Sequence, residues 1–104
     1  MNKALSLLGL AKRAGKLCTG FDPVKESLLS GTARLVLFST DLSEKTVNRV
    51  RYLCSIDQIP ILPLPTDSVE LTGAVGKRCG VCAVTDRGFA QALSGILSNR
   101  QEEN

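Results

Sequence analysis

The hydrophobic positions of this chain change period again and again. From Asn2 to about Ala14, Ala4, Leu5, Leu8 and Ala11 recur at helical spacing, which predicts a helix capped by Asn2 and stopped by Gly15. Gly9 lies inside it at a cost of about 1 kcal/mol relative to Ala, which points to close packing there. Lys16 to Thr19 reads as a short strand that ends in a turn at Gly20. Asp22 then stands as an N-cap with Pro23 at the first helical position, and the second helix runs to about Ser30 with Val24 and Leu28 buried and Gly31 as its end. Arg34 to Ser39 is nearly continuous and apolar, the pattern of a strand covered on both faces. Asp41 and Glu44 have capping-box spacing ahead of a third helix that runs to about Ile56 with Val47, Val50 and Cys54 on one face. Ile61 to Leu64, with prolines around it, reads as a short edge strand. Asp67 and Glu70 repeat the capping-box spacing before a short helix ending near Val75. Val81 to Val84 is a fourth strand, and Asp86 caps a last helix whose face is Phe89, Leu93, Ile96 and Leu97.

The order αβαβαβαβα, with one buried apolar strand per unit, predicts an α/β protein: a three-layer α/β/α sandwich around a mainly four-stranded mixed sheet. The 104 residues suffice for one core. The expected organisation is a single domain over residues 1–97 and a polar, frayed tail over residues 98–104. No apolar run is long enough to span a bilayer and no signal-peptide pattern opens the chain, so a cytosolic, non-membrane protein is expected.

Charge changes the picture more than composition does. The net formal charge is only +3. Yet Lys3, Lys12, Arg13, Lys16, Lys25 and Arg34 stand against Asp22 and Glu26 in the first third, and the remainder is slightly acidic. A basic first third predicts an anionic partner, although scattered surface Lys and Arg also serve solubility. Aromatic content of 4% with no Trp argues against a base-binding surface built mainly from stacked rings.

The candidate chemistry narrows by exclusion. Cys79-Gly80-Val81-Cys82 has CxxC spacing, but it leads into a strand, whereas a redox pair needs its first thiolate at a helix N-terminus. A zinc site needs a second pair, and Cys18 and Cys54 stand apart; they read, with Cys82, as small buried residues. Gly9 to Lys16 resembles a phosphate loop only superficially: five residues separate the glycines where four are needed, and Leu17 stands where Ser or Thr would ligate magnesium. With no histidine, a Ser or Cys nucleophile lacks the usual base. No metal, cofactor or catalytic set is therefore expected. What remains is basic residues at glycine-bounded turns: Lys16 and Lys25 around Gly20, Lys77 and Arg78 between Gly76 and Gly80, and Arg34 leading into the second strand.

Taken together, Leu8-Gly9-Leu10-Ala11-Lys12-Arg13-Ala14-Gly15-Lys16-Leu17, Leu35-Val36-Leu37 with Asp41 and Ser43-Glu44-Lys45-Thr46, the "ELGxAIGK"-like run Glu70 to Lys77, and Val84-Thr85-Asp86-Arg87-Gly88-Phe89-Ala90 resemble the ribosomal protein L7Ae superfamily. The likeness is greatest to its small bacterial ribosome-associated branch, and it covers residues 3–97. It implies the sandwich already inferred and a non-enzymatic RNA-binding role, in a superfamily whose better-known members grip kink-turns. Their RNA element reads Gly-x-Asn-Glu-x-x-Lys at the start of the second helix. Here Gly20 matches the Gly, Asp22 the Asn, Pro23 the Glu and Glu26 the Lys, so only the glycine is kept.

These departures have chemical consequences. Asn donates and accepts at a base edge, whereas ionised Asp only accepts. Pro23 removes an acceptor side chain and an amide. Glu26 places negative charge where a cation would meet the backbone, and Lys25 points about 100° round the helix from it. The expected surface, Lys16, Gly20, Phe21, Asp22, Lys25, Arg34, Lys77 and Arg78, suits backbone contacts more than base reading. The expected partner is structured RNA, ribosomal RNA above all. The alternative is a protein-interaction module that docks on ribosomal proteins or translation factors.

Overall fold

The computed structural model describes the backbone of residues 2–102 and the side chains of residues 2–98. The elements alternate as the hydrophobic pattern predicts: α1 (Lys3–Arg13), β1 (Leu17–Thr19), α2 (Phe21–Leu29), β2 (Leu35–Phe38), α3 (Glu44–Ile56), β3 (Ile61–Pro63), α4 (Ser68–Val75), β4 (Val81–Val84) and α5 (Arg87–Glu102). Helical backbone thus continues past Ser98, where the polar sequence had pointed to fraying; residues 103–104 lie outside the described part.

The four strands form one sheet in the order β1-β4-β2-β3. β4 runs antiparallel to both neighbours, pairing Leu17 with Val84 on one side and Leu35 with Val84 on the other. β2 and β3 are parallel, with Val36 opposite Ile61. The sheet is therefore mixed, and β3 is the edge strand that the prolines around it allow.

Strand alternation sorts the core into two halves. Leu35, Leu37, Cys82 and Val84 point to one face, where they meet Ala4, Leu8 and Ala11 of α1, Leu71 and Val75 of α4, and Leu93 and Leu97 of α5. Val36, Val81 and Ala83 point to the other face and meet Val24 and Leu28 of α2 and Val50 and Cys54 of α3. Every residue of β4 is buried, as a strand covered on both faces requires. Cys54 and Cys82 are core residues, and Cys18 is half-buried in β1.

Helix caps refine the local picture. Asn2 caps α1 by accepting from the amides of Ala4 (2.9 Å) and Leu5 (3.2 Å). Asp67 and Glu70 form the capping box of α4, and Asp86 caps α5 by accepting from the Phe89 amide at 2.9 Å. Two expected caps are corrected. α2 starts two residues earlier than the Asp22 reading, with Gly20 as its N-cap, so Asp22 and Pro23 fall at the second and third helical positions. There Asp22 still favours the positive helix end, and Pro23 still sacrifices no helical hydrogen bond. α3 is capped by Ser43, which accepts from the Thr46 amide, and not by Asp41.

Gly9 explains itself by contact: a Cβ there would stand 3.0 Å from the backbone oxygen of Ala74, so α1 and α4 touch main chain to main chain. The glycine-bounded run Gly9 to Gly15 is thus a packing device at its first residue and a left-handed turn just past the end of α1 at its last. A Gly9→Val protein should lose about 1–3 kcal/mol of stability by overpacking. Gly95→Ala, where a Cβ meets nothing within 4 Å, should gain up to about 1 kcal/mol from helix propensity. Urea unfolding of both variants beside the parent reads the two signs.

Candidate nucleic-acid interface

Because β4 runs against β1 and β2, the C-terminal ends of β1, β2 and β3 and the beginning of β4 share one end of the sheet. Four connections gather there: the Gly20 turn, residues 39–43, residues 64–67 and residues 76–80. Backbone hydrogen bonds lock them together. The Gly20 amide donates to the Val81 carbonyl (2.9 Å), the Ser39 amide to the Gly80 carbonyl (2.9 Å), and the Thr40 amide to the Thr66 carbonyl (2.9 Å). A Cβ on Gly80 would lie 3.0 Å from Leu42 Cδ1, so residues 76–80 press directly on the loop after β2.

Gly20 holds φ 98° and ψ 159°, a conformation that only glycine adopts without strain. It lets β1 turn straight into α2, whose N-cap makes no side-chain hydrogen bond to the first amides. α3 and α4 also begin at this end, so three helix N-termini bring partial positive charge to it, each partly offset by a first-turn carboxylate, Asp22, Glu44 or Glu70. Gly76 closes α4 in the left-handed conformation, and the exposed Lys77 and Arg78 follow. Arg78 borders a cavity of about 280 Å³ with Ser39, Asp41, Ser43 and Ser68.

Asp41 ties this end together. Its carboxylate accepts from Ser39 Oγ (2.8 Å), from the Ser68 amide (2.9 Å) and from Ser68 Oγ (2.7 Å). It therefore joins the loop after β2 to the first turn of α4. The hydrogen bonds from Ser68 and then Ser39 hold its pKa below the usual carboxylate value.

The structure divides the residues singled out in the sequence. Gly20, Phe21 and Asp22 share this sheet end with Lys77 and Arg78. Lys25 turns instead into a groove between α2 and α3, beside Phe21, Asn48, Arg49 and Tyr52. Lys16 and Arg34 are on the opposite end. The Thr85 amide donates to the Lys16 carbonyl (3.0 Å) and the Arg34 amide to the Val84 carbonyl (2.7 Å), so both flank the far end of β4. The expectation that all eight residues form one surface is therefore corrected. β1 separates Lys16 from Gly20 by its whole length, roughly 13 Å at the usual strand rise.

Two groups escaped the sequence reading. Asp41 had the spacing of a cap, and nothing local marks its partner Ser68, 27 residues away. Arg49 lies over the Phe21 ring, 4.7 Å from its centroid, a cation–π contact between two helices. The helical spacing of Lys45, Asn48, Arg49 and Tyr52 was the available signal for the second.

Burial makes Cys54, Cys79 and Cys82 poor nucleophiles and poor metal ligands. Desolvation pushes the Cys54 thiol up to about 11, and burial also raises those of Cys79 and Cys82, although Lys12 and Lys77 oppose it at Cys79. Such groups stay protonated near neutral pH, whereas nucleophilic attack and metal ligation need the thiolate. Among the described residues, no three His, Cys, Asp or Glu side chains are grouped to hold a metal.

Fold and sheet end together define a three-layer α/β/α scaffold with four connections gathered at one end of its sheet. The chain belongs to the Ribosomal protein L7Ae/L30e/S12e/Gadd45 family, which matches residues 2–94. It is 36% identical over 95 residues to the RNA-binding protein YlxQ of Enterococcus faecium, covering 91% of each chain. It is 33% identical over 90 residues to the large ribosomal subunit protein eL30 of Tetrahymena thermophila, covering 85% of this chain and 86% of that one. A solved structure of a protein with unknown function from Bacillus halodurans C superposes with a TM-score of 0.89 at 34% identity, over 94% of this chain and 99% of the other.

The Asp41 contacts set a pH dependence. A carboxylate whose folded pKa is depressed stabilises the fold fully above its ordinary pKa, and that contribution is lost as pH falls through the lower folded value. Stability measured by urea unfolding should therefore fall on acidification below the ordinary Asp value. Asp41→Asn should blunt that fall and be less stable than the parent at neutral pH.

Proposed function

We propose that this protein binds structured RNA through the sheet end built from the Gly20 turn and the Gly76–Gly80 loop, as a cytoplasmic, non-enzymatic component of the translation machinery. The observation that carries this reading is the convergence of three helix N-termini with Lys77 and Arg78 on one end of the sheet. Free amides, helix dipoles and flexible cations are the groups that hold phosphate. The relatives, an RNA-binding protein and a ribosomal protein, support the same partner class. Ribosomal RNA is the favoured RNA.

The mode of contact follows from the side chains. Asp22 is exposed beside the α2 N-terminus and accepts only, so it suits a donor edge such as guanine and repels phosphate. Lys77 and Arg78 supply the cations that the start of α2 lacks. Binding then rests on the sugar–phosphate backbone and the shape of the folded RNA, and a kink-turn is one shape that this surface would accept. The reaction is binding alone, with no chemical step.

Phosphate contacts release counterions, so affinity for ribosomal RNA fragments should fall steeply between 50 and 200 mM salt. The Lys77→Ala, Arg78→Ala double variant should bind more weakly, with a salt slope shallower by about 1–2. Affinity indifferent to both salt and the double change would refute the reading. A kink-turn RNA compared with a straight duplex of equal length tests shape: equal affinity removes the kink-turn from the proposal and leaves general folded-RNA binding.

A further inference from the structure

A second feature of the molecule lies off the sheet end, between the outer sides of α2 and α3. Phe21, Lys25, Asn48, Arg49, Tyr52 and Leu53 line a groove of about 360 Å³ there. Two of the chain's four aromatic rings, Phe21 and Tyr52, are gathered at this one place. The Arg49 guanidinium lies 4.7 Å above the Phe21 ring, which fixes a long side chain that would otherwise be mobile. One face of the guanidinium is thus covered by the ring, and Arg49 remains solvent-exposed. Tyr52 is 68% exposed, an unusual state for the only tyrosine of the chain.

From this arrangement we infer that the α2–α3 groove is a binding site for a single-stranded segment of RNA. One base stacks on the free side of the Arg49–Phe21 pair or on the Tyr52 ring, and the adjoining phosphates meet Lys25 and Arg49. The inference rests on the RNA-binding reading above and extends it to a second contact.

Three observations select this occupant. First, the lining carries two cations and no carboxylate: Asp22 and Glu26 of α2 and Glu44 of α3 are not among the lining residues. Lys45, exposed one turn before Arg49 on α3, continues the positive stripe. Second, guanidinium planes and aromatic rings are the side-chain surfaces on which unpaired bases stack, and each stacked base is sequence-tolerant because every base has a π-face. Third, the groove is continuous with the sheet end, because Phe21 directly follows Gly20. An RNA whose folded part is held at the sheet end can therefore lay an unpaired strand along α2 and α3 without leaving the protein surface. A paired stem presents no free base face to this groove, so the groove would favour RNAs in which a loop or bulge adjoins the folded element.

The chain itself provides the probe. It has one Tyr and no Trp, so intrinsic emission reports Tyr52 alone. Titration of the full chain with octaadenylate, corrected for absorbance, should give saturable quenching that weakens with salt. Arg49→Ala should reduce affinity roughly tenfold, the loss expected for one stacking platform. Lys25→Glu, at an exposed position, reads the same contact if Arg49→Ala does not fold. The Lys77→Ala, Arg78→Ala variant should keep the quenching.

Structured RNA that binds in parallel filter assays while octaadenylate causes no quenching would overturn the groove and leave the sheet-end reading standing. Quenching without structured-RNA binding would do the reverse. Quenching unchanged by Arg49→Ala or Lys25→Glu, or matched by oligoglutamate, would overturn the groove as an RNA site; the second result would mark it as a place for acidic polypeptide.

Discussion

β4 is the constraint from which the rest of this molecule follows. It is the last strand in the chain and yet it lies between β1 and β2, bonded to both and buried on both faces. Without it, β1 would have no partner, and β2 would keep only the short parallel strand β3. Its first residues also reach beyond the sheet: the carbonyls of Gly80 and Val81 receive the amides of Ser39 and Gly20. The pairing that completes the core thus also sets the positions of the loops at the sheet end. Stability and surface geometry are one arrangement, so a change that loosens β4 would move the candidate interface even if every exposed residue were kept.

The antiparallel insertion also decides how charge is distributed. Strands β1, β2 and β3 all end on the same side, so the helices that follow them all begin there, and their positive ends add. Lys77 and Arg78 sit on the connection that returns to the same end. Asp41 is drawn into this region by three hydrogen bonds that occupy its carboxylate. Its charge is spent on holding two loops together, and the exposed Asp22, Glu44 and Glu70 of the three first turns share the rim with Lys77 and Arg78.

Much of the fold was legible because hydrophobic period is a local property. Each helix and strand could be read from its own stretch, and so could Gly9 as a packing position and Asp67 with Glu70 as a capping box. The errors were of two physical kinds. Cap spacing is degenerate: Asp41 precedes Glu44 at the same distance at which Ser43 precedes Thr46, and only the distant Ser68 decides that Asp41 turns elsewhere. Nearness along the chain also differs from nearness in space. Lys16 is four positions before Gly20 yet lies at the other end of the sheet, because a strand carries the chain directly across. Lys77 is far away in sequence and shares the Gly20 end. Phe21 and Arg49 meet across two helices whose relative rotation no local pattern encodes.

The place of β4 has a consequence for how the protein comes into being. A growing polypeptide that has been made only as far as β3 contains two strands that must wait, side by side but unbonded, for a third to slide between them. Pairs such as Leu17 with Val84 join the opening of the chain to its last quarter, so the sheet closes late and through non-local contacts, the kind that slow folding. Until that moment β1 offers a bare edge and both halves of the apolar interior lack their central strand. The helices can gather early, but the sheet end that carries Lys77 and Arg78 acquires its shape in the same step that finishes the protein. An immature chain would therefore have basic turns without a surface to arrange them, and engagement with a large anionic partner becomes a property of the completed molecule alone.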